Sequence, residues 1–197
     1  MNRNIVEIDE ITKILRSAKT VAVTGHVNPD GDCIGSITGL GMSLKLMGKD
    51  VDMILDDDVP AFLSYIPNID LIKKPDKTKK YDVFVMVDLG DRKRMGSSAI
   101  AMDNSAVCLN FDHHGTNEHI CDYHYVETKA SSTCEILANF LIDNGFEIDS
   151  DVATSLYSGL VTDSNRFLYD TARANAMRTG ANLIDLGADV DCIYFNE

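Results

Sequence analysis

The chain has no C-x-x-C pair, no apolar run near the ~20 residues that a membrane-spanning helix needs, and no low-complexity tract. Its five cysteines, Cys33, Cys108, Cys121, Cys134 and Cys192, are odd in number and scattered. Neither a disulfide framework nor a thiolate zinc site is expected, and a reducing, cytoplasmic setting fits. The amino terminus, M-N-R-N-I-V-E-I-D-E-I-T-K-I-L, interrupts its apolar residues with charges and so lacks the core of a signal peptide. Positive charge is also scarce: 18 Lys+Arg stand against 31 Asp+Glu, a formal net charge of −13. That balance argues against holding nucleic acid through a broad cationic surface. A phosphate-bearing ligand would then need bound metal, a local basic patch or a partner domain.

With 197 residues, 45% of them apolar and 25% charged, the chain suits one globular domain with a sizeable core, residues 1–197. Ile5, Ile8, Ile11 and Leu15 recur at helical spacing, and T-V-A-V-T-G then reads as a short buried strand. Ile34, Ile37, Leu40, Leu44 and Met47 continue a second helix up to Gly48, a plausible stop. V-D-M-I-L, V-F-V-M-V (Val83 to Val87) and A-V-C-L-N-F (Ala106 to Phe111) read as three further strands, the middle one buried on both faces. Strands alternating with helices predict an α/β fold, a doubly wound, mainly parallel sheet with right-handed crossovers, flanked by helices. From about Ser131 the spacing becomes helical: Ile136 to Leu141, Val152 to Leu160, then Ala174, Met177, Ala181 and Ile184. The chain ends at I-Y-F-N-E with no Gly or Pro terminator and with Ile193 and Phe195 unplaced, which reads as a fragment.

Ligands of such sheets bind at the carboxyl ends of the strands, and acidic and imidazole side chains gather there. His26, Asp30 and Asp32 follow the first strand, Asp88 the third, and Asp112-His113-His114 the fourth, while Asp163 falls at the inward face of a helix end. Two carboxylates ~4 Å apart repel by about 4 kcal/mol at an effective dielectric near 20, so something positive is required between them. Imidazole and carboxylate donors without thiolates suit Mn²⁺, with Mg²⁺, Co²⁺ or Zn²⁺ as substitutes, and three acidic loops with two histidines suffice for two ions. A metal pair can activate a bridging water for in-line displacement at phosphorus. The glycines Gly31, Gly35, Gly39 and Gly41 carry no Walker lysine and read as close-packing positions. Met42, Met47 and Met86 read as core fillers.

Four ordered stretches, G-H-V-N-P-D-G-D-C-I-G-S, V-D-L-G-D-R-K-R-M-G, F-D-H-H-G-T-N and G-L-V-T-D-S-N-R-F-L-Y, resemble the motifs of the DHH family of phosphoesterases over about residues 20 to 190. The resemblance implies that His26 and Asp30 hold one Mn²⁺, that Asp32, His113 and Asp163 hold the other, and that Asp88 bridges them. It further implies that a metal-bridging hydroxide attacks, that His114 contacts the scissile phosphate, and that Asp112 orients a histidine. Arg166 is a candidate phosphate contact. Within the family, the motifs are most similar in form to the nanoRNase and 3′-phosphoadenosine 5′-phosphate phosphatase branch. That branch implies short oligonucleotides, linear dinucleotides such as pApA, or 3′-phosphoadenosine 5′-phosphate as substrates. Its members continue into a smaller C-terminal DHH-associated domain, absent from this chain, and a homodimer is an allowed assembly. Family members often carry Gly where Asn165 stands here, so the loop after Asp163 is expected to differ in shape. A manganese inorganic pyrophosphatase shares H-x-N-P-D-x-D but usually has Thr at the Gly31 position. The same residues also allow a RecJ-type exonuclease or a non-catalytic nucleotide- or metal-binding module. Asn28, Asn117 and Ser132 read as loop-shaping or capping residues, Arg94 as solvated, and His119 and His124 as non-catalytic.

Overall fold

The computed structural model describes residues 3–169 and 173–196, except the side chains of residues 3–6, 195 and 196. The Ile5 and Phe195 side chains therefore lie outside the described ones. In chain order the elements are α1 (Arg3–Ser17), β1 (Thr20–Thr24), α2 (Gly31–Leu46), β2 (Asp50–Ile54), β3 (Tyr81–Val87), α3 (Ala99–Asp103), β4 (Ser105–Asp112), β5 (Tyr123–Val126), α4 (Thr133–Asp143), α5 (Ser150–Asp163), α6 (Arg173–Asp185) and α7 (Val190–Asn196). All four strand pairings are parallel, in the order β2-β1-β3-β4-β5. The winding direction reverses between β1 and β3, so the loops leaving these two strands part and leave a crevice at their carboxyl ends.

Strand β3 has the all-round burial expected of a central parallel strand. Val83, Val85 and Val87 join a large core with α1, α2, α4 and α5, while Phe84 and Met86 face a smaller cluster closed by Met95 and Ala101. Met42 and Met47 pack at the margin of the large core, in keeping with their reading as fillers. Helix α2 lies very close to α5. A Cβ built on Gly35 would stand 2.4 Å from the Ser155 carbonyl oxygen, and one on Gly159 would stand 2.9 Å from the Asp32 Cα. Only glycine permits backbones to approach so closely. Among the described residues no helix is long and apolar enough to cross a membrane.

Four features differ from expectation. Strand β5 joins the sheet edge beside β4, although its four residues, Y-H-Y-V, are too few and too evenly half-buried to signal a strand. The register pairs Leu109 with Tyr123, which brings the residues just upstream together, and Cys108 and Cys121 are joined as a disulfide. No such pairing is legible from cysteine spacing alone. Helix α6 buries Ala176, Thr179, Gly180 and Leu183, leaving Met177 52% and Ile184 45% exposed, so the apolar series along it is not its packed face. Short α3 and α7 were not expected, and α7 buries Ile193.

Gly35→Ala should cost about 1–3 kcal/mol, because the new methyl meets a backbone carbonyl that cannot rotate away. Gly39→Ala should cost less, since its methyl meets the mobile end of Leu156. Thermal melts of the two variants, at about 2–4 °C per kcal/mol, would rank them. A second outcome concerns Asp52, which accepts from Tyr81 at 2.8 Å and pairs with Lys73 and Lys79 at 2.8 and 3.1 Å. Burial pushes its carboxyl up, but hydrogen bonds from Lys73, Tyr81 and Lys79 outweigh this and hold it below its ordinary value. The folded pKa lies below the unfolded one, so this stabilisation is present above the unfolded value and is lost as pH falls through the folded value. Asp52→Asn should lower stability at pH 7 by on the order of 1–3 kcal/mol, with the gap to wild type closing in denaturant melts below pH 4.

Candidate metal centre at the crest of the sheet

The loop from β1 to α2 is held at both ends. Val27 N–H donates to the Arg94 carbonyl at 2.7 Å, and Asn28, left-handed at φ 54°, donates its N–H to Asp57 at 2.6 Å. Asp30 caps α2 by accepting from Cys33 N–H at 3.0 Å, which puts Asp32 in the helix's first turn. Asp88 follows β3 directly with φ 56°, a conformation uncommon outside glycine that costs on the order of 1 kcal/mol. Its N–H is anchored to the Phe111 carbonyl at 3.0 Å. Strand β4 ends at Asp112 and releases His113 and His114, and α5 ends at Asp163.

These elements bring all six expected metal ligands together. His26 Nδ1 donates to the Val27 carbonyl at 2.9 Å, leaving Nε2 with a lone pair 3.3 Å from Asp88 Oδ2 and 3.9 Å from Asp30 Oδ1. His113 Nε2 lies 3.6 Å from the other Asp88 oxygen, 3.4 Å from Asp163 Oδ2 and 3.9 Å from Asp32 Oδ2. A backbone hydrogen bond with Ala130 fixes the His113 ring. Two donor sets result, His26-Asp30-Asp88 and Asp32-His113-Asp163, each with its atoms within 4.8 Å of one another. Donors sharing an ion at about 2.0–2.2 Å stand roughly 3–4 Å apart, so both sets fit a divalent cation. Asp88, His113 and His114 also cluster, but His114 Nδ1 is committed to Asp112 at 2.7 Å and is not available to an ion.

Electrostatics make the case for cations stronger. Burial, then the charges of Asp88 and Asp163, pushes the Asp32 carboxyl well up, and burial with Asp30 does the same to Asp88. Burial and Asp30 raise Asp163 to about 6. Cys33 and Cys134 are buried beside the centre, burial above all pushes their thiols up, and neither sulfur belongs to a donor set, so the donors are imidazole and carboxylate. Asp112, fully buried, is pushed up by burial but brought below its ordinary value by His114 and Asn117, whose amide donates to it at 2.6 Å. The Asp112 hydrogen bond in turn raises His114 to about 9. His114 is 40% and Asp30 61% exposed, against 3% for Asp88, so the open side of the centre is the side they face.

Some contributors escaped the sequence reading. Thr133 N–H and Cys134 N–H, at the start of α4, donate to the two oxygens of Asp32 at 2.7 and 2.8 Å, and Thr133 Oγ1 donates to Asp88 at 3.0 Å. The signal was present in S-S-T-C-E: Ser132 caps α4 by accepting from Glu135 N–H, and a capped helix start offers N–H groups to an anion. Asn117 braces Asn110 and Asp112, as a loop-shaping residue should. Arg166 sits on a turn of three successive left-handed residues, Asn165 to Phe167, just after Asp163. His119 and His124 stack on each other, apart from both donor sets.

A model of the DHH family, N-terminal domain, matches residues 20–160. The chain belongs to the DHH family. This DHH domain is 27% identical over 179 residues to the bifunctional oligoribonuclease and PAP phosphatase NrnA of Thermus thermophilus, covering 90% of the chain and 53% of that relative. It is likewise 27% identical to the probable bifunctional oligoribonuclease and PAP phosphatase NrnA of Streptococcus mutans, covering 89% of the chain and 55% of that protein. The crystal structure of an exopolyphosphatase-related protein from Bacteroides fragilis superposes with a TM-score of 0.90 at 28% identity, covering 98% of this chain and 60% of that one. A putative family II inorganic pyrophosphatase of Methanococcus jannaschii, at TM-score 0.65 and 17% identity over 89% of this chain and 58% of its own, shares the fold. The DHH domain thus spans little more than half the length of these relatives.

Asp88→Asn should relieve repulsion in the metal-free domain and raise its melting temperature by about 2–4 °C, equivalent to about 1 kcal/mol, and should respond less than wild type to an added divalent cation such as Mn²⁺. Paired thermal melts with and without Mn²⁺ would check both signs.

Proposed function

We propose that this DHH domain is the catalytic part of a divalent-metal phosphoesterase acting on short oligoribonucleotides, linear dinucleotides such as pApA, or 3′-phosphoadenosine 5′-phosphate. The observation that carries it is Asp88, whose two oxygens face two different imidazoles at 3.3 and 3.6 Å. In this reading His26 and Asp30 would hold one Mn²⁺, Asp32, His113 and Asp163 would hold the second, and Asp88 would serve both, with Mg²⁺ or Co²⁺ as substitutes. Bound ions supply Lewis acidity and an activated water for in-line attack at phosphorus.

The remaining work falls to the chain's own side chains. His114, charged at neutral pH through its bond to Asp112, donates from its open edge to a phosphate oxygen as charge builds there. Asp112 positions that ring, and Asn117, itself braced by the buried Asn110, holds Asp112. Arg166, exposed on the turn three residues after Asp163, is a candidate phosphate contact. The names of the Thermus and Streptococcus relatives support the substrate class. Because the chain spans little more than half the length of those relatives, a second domain in cis belongs to the proposal for the whole protein, and a homodimer is an assembly that the proposal allows. A cytoplasmic location belongs to the same proposal.

Calorimetric titration of the metal-stripped chain with Mn²⁺ should give two ions per chain, and the loaded chain should hydrolyse pApA in preference to pyrophosphate. His114→Ala should keep the stoichiometry and lose about 10²–10³ in kcat. Preference for pyrophosphate would transfer the domain to the pyrophosphatase reading, two ions without turnover would make it a binding module, and no ion in a folded chain would overturn the metal centre.

A further inference from the structure

An open groove of about 460 Å³ runs between β5, α4 and α6, outside both donor sets. Tyr125 and Lys129 line it from β5 and the following loop, Asn139 from α4, and Asn175, Arg178 and Asn182 from α6. In a chain of net charge −13, two cations facing one groove stand out, and neither Lys129 nor Arg178 forms an ion pair among the described residues. Two carboxylates, Glu127 and Glu135, also line the groove, and each is held by neutral local donors and not by either cation. Glu135 accepts from the Ser131 N–H and hydroxyl at 2.8 and 2.6 Å, and Glu127 accepts from Lys129 N–H at 3.0 Å.

The amides are oriented. Asn175 Oδ1 accepts from Arg178 Nη1 at 2.9 Å and aligns the guanidinium, while Asn139 Oδ1 accepts from Thr179 at 3.1 Å and leaves its NH₂ as a donor. Carboxamides match the edges of nucleobases, and a phenol ring braced by Phe111 and Phe140, as Tyr125 is, offers a stacking face. The groove also adjoins the metal centre directly. Ala130 lines it and is hydrogen-bonded to His113, and Thr133, which donates to Asp32, lies three residues further, at most about 10 Å of extended chain.

We propose that this groove is a subsite for the nucleotide neighbouring the scissile phosphate of a single-stranded oligonucleotide, with Lys129 and Arg178 on its phosphate and Asn139 and Asn182 on its base. The assignment rests on the phosphoesterase reading of the metal centre and adds a length requirement to it. Substrates of two or more nucleotides use the groove, and a small diester does not.

The test compares wild type, Lys129→Ala/Arg178→Ala and the conservative Lys129→Arg/Arg178→Lys, all with unchanged melting temperature. Fluorescein-labelled pentaadenylate is bound by anisotropy with Ca²⁺, and hydrolysis of pentaadenylate and of bis(p-nitrophenyl) phosphate is measured with Mn²⁺. The alanine pair should raise Kd and KM for pentaadenylate about tenfold, hold kcat within twofold and leave bis(p-nitrophenyl) phosphate unchanged. The salt slope of binding should fall by about 0.7 to 1.4. The conservative pair should behave as wild type. Wild-type Kd and KM in the alanine pair, an equal loss on bis(p-nitrophenyl) phosphate, or no wild-type binding of pentaadenylate would each overturn the groove. If wild type hydrolyses neither substrate but the anisotropy difference persists, the phosphoesterase reading fails and the groove stands.

Discussion

Four aspartates, Asp30, Asp32, Asp88 and Asp163, converge at one edge of the sheet, and their mutual repulsion is the constraint that the surrounding structure contains. A pair ~4 Å apart opposes folding by about 4 kcal/mol at an effective dielectric near 20. Against this, the start of α4 gives Asp32 two N–H bonds, and a helix end contributes roughly 0.3–1 kcal/mol. Thr133 gives Asp88 one more hydrogen bond. These contributions hold individual carboxylates but do not cancel the sum. Protons or cations must do the rest, as the raised pKa values of Asp32, Asp88 and Asp163 express.

The scaffold is stiff where this charge is stored. Asp32 and Asp163 sit on different helices, α2 and α5, and their separation is set by a backbone contact at Gly35 and Gly159 that a single methyl would disturb. Asp88 is fixed by an anchored left-handed residue at a strand end. The geometry of the donor sets is therefore tied to the close packing of α2 on α5, and the residues at the centre that reach solvent most are Asp30, His114 and, in part, Asp163.

How much of this could be read beforehand depends on range. The β1–α2 unit, the buried β3 and the Asp112-His113-His114 strand end are local patterns, and each lies where its spacing predicts. The convergence of these six residues was legible because each lies just after a strand, in the first turn of the helix that follows it, or at a helix end, and parallel topology collects such positions at one edge. Strand β5 is held by pairing with β4 more than by its own pattern, and the Cys108–Cys121 pairing exists only through that register. On α6 the packed stripe runs through Thr179 and Gly180, small residues that hydropathy does not score, so Met177 and Ile184 suggested the wrong face. The donors from Thr133 and Cys134 are backbone groups: the capping pattern S-S-T-C-E marks the helix start that offers them, but only the packing of α4 on α2 makes Asp32 the anion they meet.

An acidic chain that receives an anion poses a last physical question. At physiological salt the Debye length is about 8 Å, so exposed carboxylates further away are largely screened and the formal charge of −13 exerts little force at the centre. What a phosphate meets is local: the charged His114 at the open side, and Lys129 and Arg178 in the adjoining groove. Divalent ions at the donor sets would reverse the sign of the nearest carboxylate field. The same acidic residues that would repel an oligonucleotide from the bare domain are then what concentrates positive charge at the place where its phosphate must lie.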